Sequence, residues 1–462
     1  MKVSISPFIA VLVLSLMVGI TLTPTVAHAQ SDLRVSDNGR FLVYTSGKPF
    51  FYLGDTAWEL LHRLNREDAV RYLTNRADKG FTVIQAVVLA EHDGLRDPNA
   101  YGQVPFVDTD PTKPNEAYFK HVDFIIEQAE KLGLHMALLP TWGDKINKDK
   151  WGIGPEIFDE QNSYQYGKFI GNRYKAKKNI IWIIGGDRNP RKGSNDVQVW
   201  RGLANGITEA AGGKDNVLMT FHPQTGSSTW FHQDDWLDFN MLQTGHCPDV
   251  NVWEKISHDY NLSPTKPTMD GEPLYEDIPV CFDLKKNGYA DVNDVRRKAY
   301  QDLFAGAHGH TYGCNSVWQM YEPGRKPYID PAKPWFESLD LPGAASMTYV
   351  RKLMESRPFL ERIPDQSMVI TNSDNPKNRI QATRGNGYAF IYSSSGQAFE
   401  VKMGILSGKK VKASWYNPRT GTAMAGKTYL NTGIQKFTPP TQGNDQDWVL
   451  ILDDASQGFT RL

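Results

Sequence analysis

Cysteine is scarce, with three residues, Cys247, Cys281 and Cys314, in a chain of 462. So odd and sparse a count builds no disulfide framework. At most one pair forms, and small buried hydrophobes are expected before metal ligands or nucleophiles. Net charge is also nearly absent, at −1, with 51 Lys and Arg against 52 Asp and Glu. That balance removes the electrostatic reason to expect nucleic acid or an anionic membrane as partner. After the N-terminal segment no apolar run is long enough to span a bilayer. There is no His-Glu-x-x-His spacing, and His308 and His310 bracket a glycine ahead of the last expected strand. Ser227 and Ser228 lie in a Gly/Ser/Thr loop without the nucleophile-elbow pattern, which argues against a serine hydrolase. Internal repeats and low-complexity tracts are missing too.

The apolar run missing elsewhere stands at the start. Lys2 precedes Phe8 to Leu22, and Ala27-His-Ala29 supplies small residues at signal-peptidase spacing. An export signal over 1–29, cut after Ala29, implies a secreted or periplasmic protein with no membrane attachment after removal. A retained anchor fits less well, because the run is short and Thr and Pro follow it. Aromatic residues are plentiful, with 12 Trp and 20 Tyr. Much of that is core, but it also suits sugars, whose apolar faces stack on aromatic rings.

Past a short hairpin around Gly47-Lys48-Pro49, buried runs and helical periodicities alternate. Strands are expected at Phe51–Leu53, Phe81–Leu89, Leu134–Leu139, Ile180–Ile184, Val217–Phe221, Asn240–Gln243 and Lys266–Met269, with an eighth inside Thr311–Met320. Helical stretches such as Arg66–Lys79, closed by Gly80, and Glu116–Leu132, closed by Gly133, separate them. This predicts a (β/α)8 TIM barrel over 30–362. Beyond Arg362, short alternating runs such as Tyr388–Tyr392 and Val411–Tyr416 predict a small all-β C-terminal sandwich over 363–462.

A barrel gathers the C-terminal tips of its strands on one face, whatever their separation in sequence. The tips here carry Asp55 and Trp58, Gln85, Trp142 and Asp144, Asp187, His222, Gln243 and His246, Glu272, and Trp318 with Gln319. Most are acids, imidazoles, amides or indoles, and we take them as candidate substrate contacts. Two acids stand apart. Asp187 ends Ile180-Ile-Trp-Ile-Ile-Gly-Gly-Asp187, and Glu272 sits between Gly271 and Pro273. On strands 4 and 7 they would face each other across the mouth, as glycoside hydrolysis requires of its acid and its nucleophile. Positional logic makes Asp187 the acid/base and Glu272 the nucleophile. Arg188 beside Asp187 favours the anion, so some other influence must hold a proton there.

Several strings recur together: Phe51-Tyr-Leu-Gly-Asp-Thr-Ala-Trp-Glu-Leu-Leu-His62, Val83-Ile-Gln-Ala-Val-Val88, Leu138-Leu-Pro-Thr-Trp-Gly-Asp144, the Asp187 stretch, Asp270-Gly-Glu-Pro273, and Ala305-Gly-Ala-His-Gly-His-Thr-Tyr312. Over roughly Asp37 to Arg362 the chain resembles the apiosidase-like glycoside hydrolases, family 140. The remainder looks like the β domain, labelled collagen-binding, that accompanies them. The resemblance implies a barrel with a β-sandwich, release of apiose-linked side chains from the plant pectin rhamnogalacturonan II, and a catalytic Asp and Glu matching Asp187 and Glu272. Gly-Asp stands where the broader barrel clan has Asn-Glu, so the acid is one methylene shorter.

The leading expectation is therefore an exported glycosidase acting on plant cell-wall oligosaccharide or polysaccharide without a cofactor or metal, retaining if the two carboxyls stand about 5.5 Å apart and inverting at about 6.5–9.5 Å. Two other classes compete. A noncatalytic glycan-binding barrel would hold Asp187 and Glu272 apart or locked in salt bridges. A metal-dependent hydrolase would use Asp55, His222 and His246 as ligands.

Overall fold

The structure, a computed structural model, describes Met1 and residues 32–462. The expected export signal otherwise lies outside the described residues. Eight parallel strands form the central sheet: β1 (Tyr52–Thr56), β2 (Val83–Val87), β3 (His135–Leu139), β4 (Ile180–Gly185), β5 (Met219–His222), β6 (Asn240–Gln243), β7 (Thr268–Glu272) and β8 (Gly309–Tyr312). They run in the order β5-β4-β3-β2-β1-β8-β7-β6. The seam between β5 and β6 is bridged by Asp238 N donating to Met219 O at 2.8 Å and Thr220 Oγ1 to Phe239 O at 2.6 Å. The barrel is nearly closed.

Both strand faces are buried, which explains why these segments read as near-continuous apolar runs. Val83, Val87, Ala137, Ile181, Ile183, Met241 and Met269 fill the interior, while Ile84, Ala86, Leu138 and Ile184 face the helices. A small sheet of Leu33–Val35, Leu42–Tyr44 and Pro49–Phe50 precedes β1. Leu33, Leu42 and Phe50 join the interior cluster, so this sheet seals the barrel end opposite the active face. Two of the barrel helices start on side-chain caps: Asn65 accepts from Asp68 N ahead of Arg66–Asp78, and Asp159 forms a capping box ahead of Glu160–Tyr174.

One expected element differs. The last strand ends at Tyr312, and Asn315–Trp318 is a helical turn. Gly313, Cys314 and Asn315 turn the chain off the ladder, so Trp318 and Gln319 arrive on a loop above the barrel.

The C-terminal part is antiparallel throughout. Seven strands, among them Ile380–Arg384, Tyr388–Ser393, Trp448–Asp454 and Lys410–Asn417, form one sheet, and Phe399–Lys402 pairs with Ile434–Phe437 in a second. Val401, Phe437, Ile391 and Leu450 close a core between them. The outer face of the large sheet packs on the barrel. Tyr392 stacks on Tyr300 at 4.8 Å, and Asp447 takes both Arg296 Nε at 2.8 Å and Nη2 at 2.9 Å. The helix Val292–Phe304 is thus buried on both sides, between barrel and β domain.

Candidate active site

A cavity of about 570 Å³ opens at the C-terminal ends of the strands. Trp58, Trp142, Trp318, Tyr275 and Tyr328 supply apolar walls, and Asp187, Glu272 and Glu91 supply carboxyls. Register explains the gathering. Gly185 pairs with His222 across β4 and β5, and Glu272 with Gln243 across β7 and β6. His222, Gln243 and Glu272 therefore end their strands at the mouth, with Asp187 two residues past Gly185.

Local sequence sets the pose of Asp187. Gly185 and Gly186 have φ of 101° and 140°. A Cβ on Gly185 would lie 2.4 Å from the His222 carbonyl oxygen, and one on Gly186 2.7 Å from the Trp142 ring. Only glycine fits either place. Asp187 itself has φ 49°, a region that Asp tolerates better than most residues. The two glycines thus let the chain leave β4 sharply and turn the carboxyl into the mouth.

The two carboxyls live in opposite surroundings. Glu272 is 6% exposed, with His222 Nε2 3.1 Å from Oε2 and His246 Nε2 3.2 Å from Oε1. His222 Nδ1 accepts the Asp187 backbone N–H at 3.4 Å, which leaves Nε2 to face Glu272 as a donor. Burial pushes the Glu272 carboxyl up, but the two imidazoles beside its oxygens outweigh it and hold the group at about 2. At Asp187, burial and the repulsion of Glu272 and then Glu91 push the carboxyl up to about 7. Arg188 opposes this and loses. It does not point away: Nη1 donates to Asp187 Oδ2 at 3.1 Å and to the Asp187 carbonyl at 2.7 Å, and Nη2 lies 3.9 Å from Glu91 Oε1.

Two carboxyls displaced in opposite directions thus share this barrel mouth. The model of the apiosidase-like catalytic domain matches residues 36–361. The chain belongs to the apiosidase-like family. Residues 363–453 of this apiosidase-like glycoside hydrolase match a model described as "putative collagen-binding domain of a collagenase". A solved structure described as a glycoside hydrolase is 35% identical, over 93% of this chain and 98% of that one, with a TM-score of 0.85. A second, from Bacteroides vulgatus and described as glycoside hydrolase family 5, is 34% identical over 93% and 95%, with a TM-score of 0.85. A third Bacteroides vulgatus structure, 16% identical with a TM-score of 0.66, shares the fold alone. No curated protein matches the chain.

Within this hydrolase the expected site residues divide. Trp58, Trp142, Asp187, Gln243, His246, Glu272 and Trp318 line the cavity, and His222 lies beneath it against Glu272. Four do not line it. Asp55 faces outward from β1, where Oδ2 takes Arg76 Nε at 2.7 Å and the Tyr72 hydroxyl. The Asp55, His222 and His246 ligand set therefore does not assemble. Gln85 faces inward but sits too low, bonded to the Tyr52 hydroxyl and the Gly271 carbonyl, each at 3.0 Å. Asp144 pairs with Lys145 at 2.6 Å and accepts Ile153 N and Gly154 N, anchoring a loop. Gln319 accepts Tyr328 N and donates to Ile329 O, both at 2.9 Å, so it holds other cavity residues in place.

Sequence reasoning missed Glu91, His92, Trp151, Tyr275, Phe282 and Tyr328. All come from loops. Cys247 and Cys281 form a disulfide rather than serving as separate buried thiols, while Cys314 is free and buried. The bridge ties the loop after β6 to the loop after β7. It keeps Phe282, 63% exposed, edge-on over His246 at 5.4 Å between ring centroids.

Proposed function

We propose that this enzyme is an exported, retaining glycosidase that cleaves apiosyl or related linkages in plant pectin, on the side chains of rhamnogalacturonan II. Asp187 is the acid/base and Glu272 the nucleophile. The observation that carries this reading is the opposite displacement of two carboxyls on one cavity, Asp187 to about 7 and Glu272 to about 2. Environments that drive two carboxyls apart mark the acid and the nucleophile.

In the first step the ionised Glu272 attacks the anomeric carbon while protonated Asp187 gives its proton to the leaving oxygen. Asp187, now an anion, then takes a proton from water as that water displaces Glu272 from the glycosyl-enzyme. His222 and His246 hold both oxygens of Glu272 and orient them before attack. Trp58, Trp142 and Trp318 form an apolar cavity wall against which a sugar can pack.

The test is a screen of sugars released from pectic oligosaccharides, with the anomer of the first product read by NMR. Apiose-terminated product with retained configuration is expected. Release from other polysaccharides alone would overturn the substrate, and an inverted product would overturn the role of Glu272.

A further inference from the structure

Trp151 has no role in the chemistry as described, yet it touches the acid. Its indole Nε1 donates to Asp187 Oδ2 at 3.1 Å, alongside the Arg188 guanidinium on the same oxygen. That guanidinium lies 4.6 Å from the Trp151 ring centroid, so ring and cation stack and then converge on one carboxylate oxygen. The loop is built to keep the ring there, because buried Asp144 accepts Ile153 N at 3.2 Å and Gly154 N at 2.8 Å. A Cβ on Gly152 would fall 2.5 Å from the Lys148 carbonyl oxygen, so the chain folds tightly just after the indole. The ring is 46% exposed and forms a wall of the active cavity.

We propose that Trp151 is a positioning residue for the acid: with Arg188 it fills Oδ2 of Asp187, so that Oδ1 carries the proton delivered to the leaving group. This rests on the assignment of Asp187 as acid. During the step the Oδ1–H bond breaks and its proton joins the glycosidic oxygen, which keeps the electron pair of the broken C–O bond. Asp187 is left as an anion whose Oδ2 already has two donors. The carboxyl also faces the negative charges of Glu272 and Glu91, so donors on Oδ2 ease departure of the proton.

The experiment compares wild type, Trp151→Phe and Asp187→Asn on two probes, methyl apioside and dinitrophenyl apioside. Only the first leaving group needs a proton. Trp151→Phe keeps the ring and loses the N–H. On methyl apioside kcat/KM, which reads the first step alone, should fall about tenfold, and on the dinitrophenyl probe by less than about threefold. The alkaline limb of kcat/KM should move to higher pH, because losing a donor to the anion holds the proton more tightly. Equal losses on both probes with an unmoved limb, or wild-type rates on both, would overturn the role of Trp151. Failure of the underlying assignment looks different: Asp187→Asn would then retain activity on methyl apioside, whatever Trp151→Phe does. An unchanged thermal midpoint in each variant separates these readings from misfolding.

Discussion

The β4 wall and the β7 wall of the cavity each present one carboxyl, and they treat it in opposite ways. At β7 the carboxylate is almost fully enclosed and both oxygens face imidazoles. The disulfide loop beyond it carries Phe282 over His246. At β4 the Asp187 side chain is 15% exposed, stands on a strained backbone, and meets Trp151 and Arg188 on Oδ2, with the Gln243 amide also beside the carboxyl. Identity of the acid and its number of cationic neighbours do not decide protonation. Asp187 has Arg188 at 3.1 Å and still keeps its proton to higher pH, because burial and the facing Glu272 and Glu91 outweigh that one cation.

The contrast can be broken at its ends. Glu272→Gln should lower turnover by about a thousandfold or more, and Asp187→Asn by about a hundred- to ten-thousandfold on substrates with poor leaving groups, measured by steady-state kinetics with circular dichroism to confirm folding. Near wild-type turnover in either would remove that residue from the chemistry. His246→Ala takes one partner from Glu272 and should cost about ten- to a hundredfold in kcat. With Glu272 as the proposed nucleophile, the rate has an acid limb, falling on acidification as its anion is lost. Losing a donor raises its pKa and moves that limb to higher pH, which a profile of kcat/KM would reveal.

Milder changes sharpen the contrast by testing the frame around it. Cys281→Ser opens a loop with a sequence separation of 34 and should raise KM severalfold through a looser Phe282 wall. It should also lower stability by about 3 kcal/mol in a denaturant titration. Arg296→Ala strips Asp447 of its bidentate partner between barrel and β domain. Asp447 keeps Arg419 Nη1 and the Tyr392 hydroxyl, each at 3.0 Å, so the change should cost about 1–3 kcal/mol of stability, and kcat/KM at 25 °C should stay within about twofold of wild type. A large kinetic effect there would mean that the β domain acts on the active face.

Much of this was legible in sequence because the barrel strands are buried on both faces and therefore announce themselves as apolar runs. Strand tips then located Asp187 and Glu272 without any contact information. The errors have a shared cause. A residue's place at a tip does not say which way its side chain points or how high it sits. On β1, Tyr52 turns inward and Leu53 outward, so the period of two sends Asp55 out to Tyr72 and Arg76. Parity along the strand could have revealed that. Gln85 has the right parity but lies one layer too deep, which depends on barrel stagger. Trp151, Tyr328 and Phe282 sit in loops with no periodicity, and their approach to the mouth depends on tertiary anchors such as Asp144, Gln319 and the disulfide.

The pH dependence of kcat/KM tests the central claim, opposite ionisation of two facing carboxyls, most directly. The free enzyme should be active only while Glu272 is ionised and Asp187 protonated, so activity should fall above about 7 and persist far into acid, toward about 2. The alkaline limb should vanish in Asp187→Asn assayed on a substrate whose leaving group needs no proton. A wild-type profile that rises through neutrality, or an alkaline limb that survives in Asp187→Asn, would contradict the account.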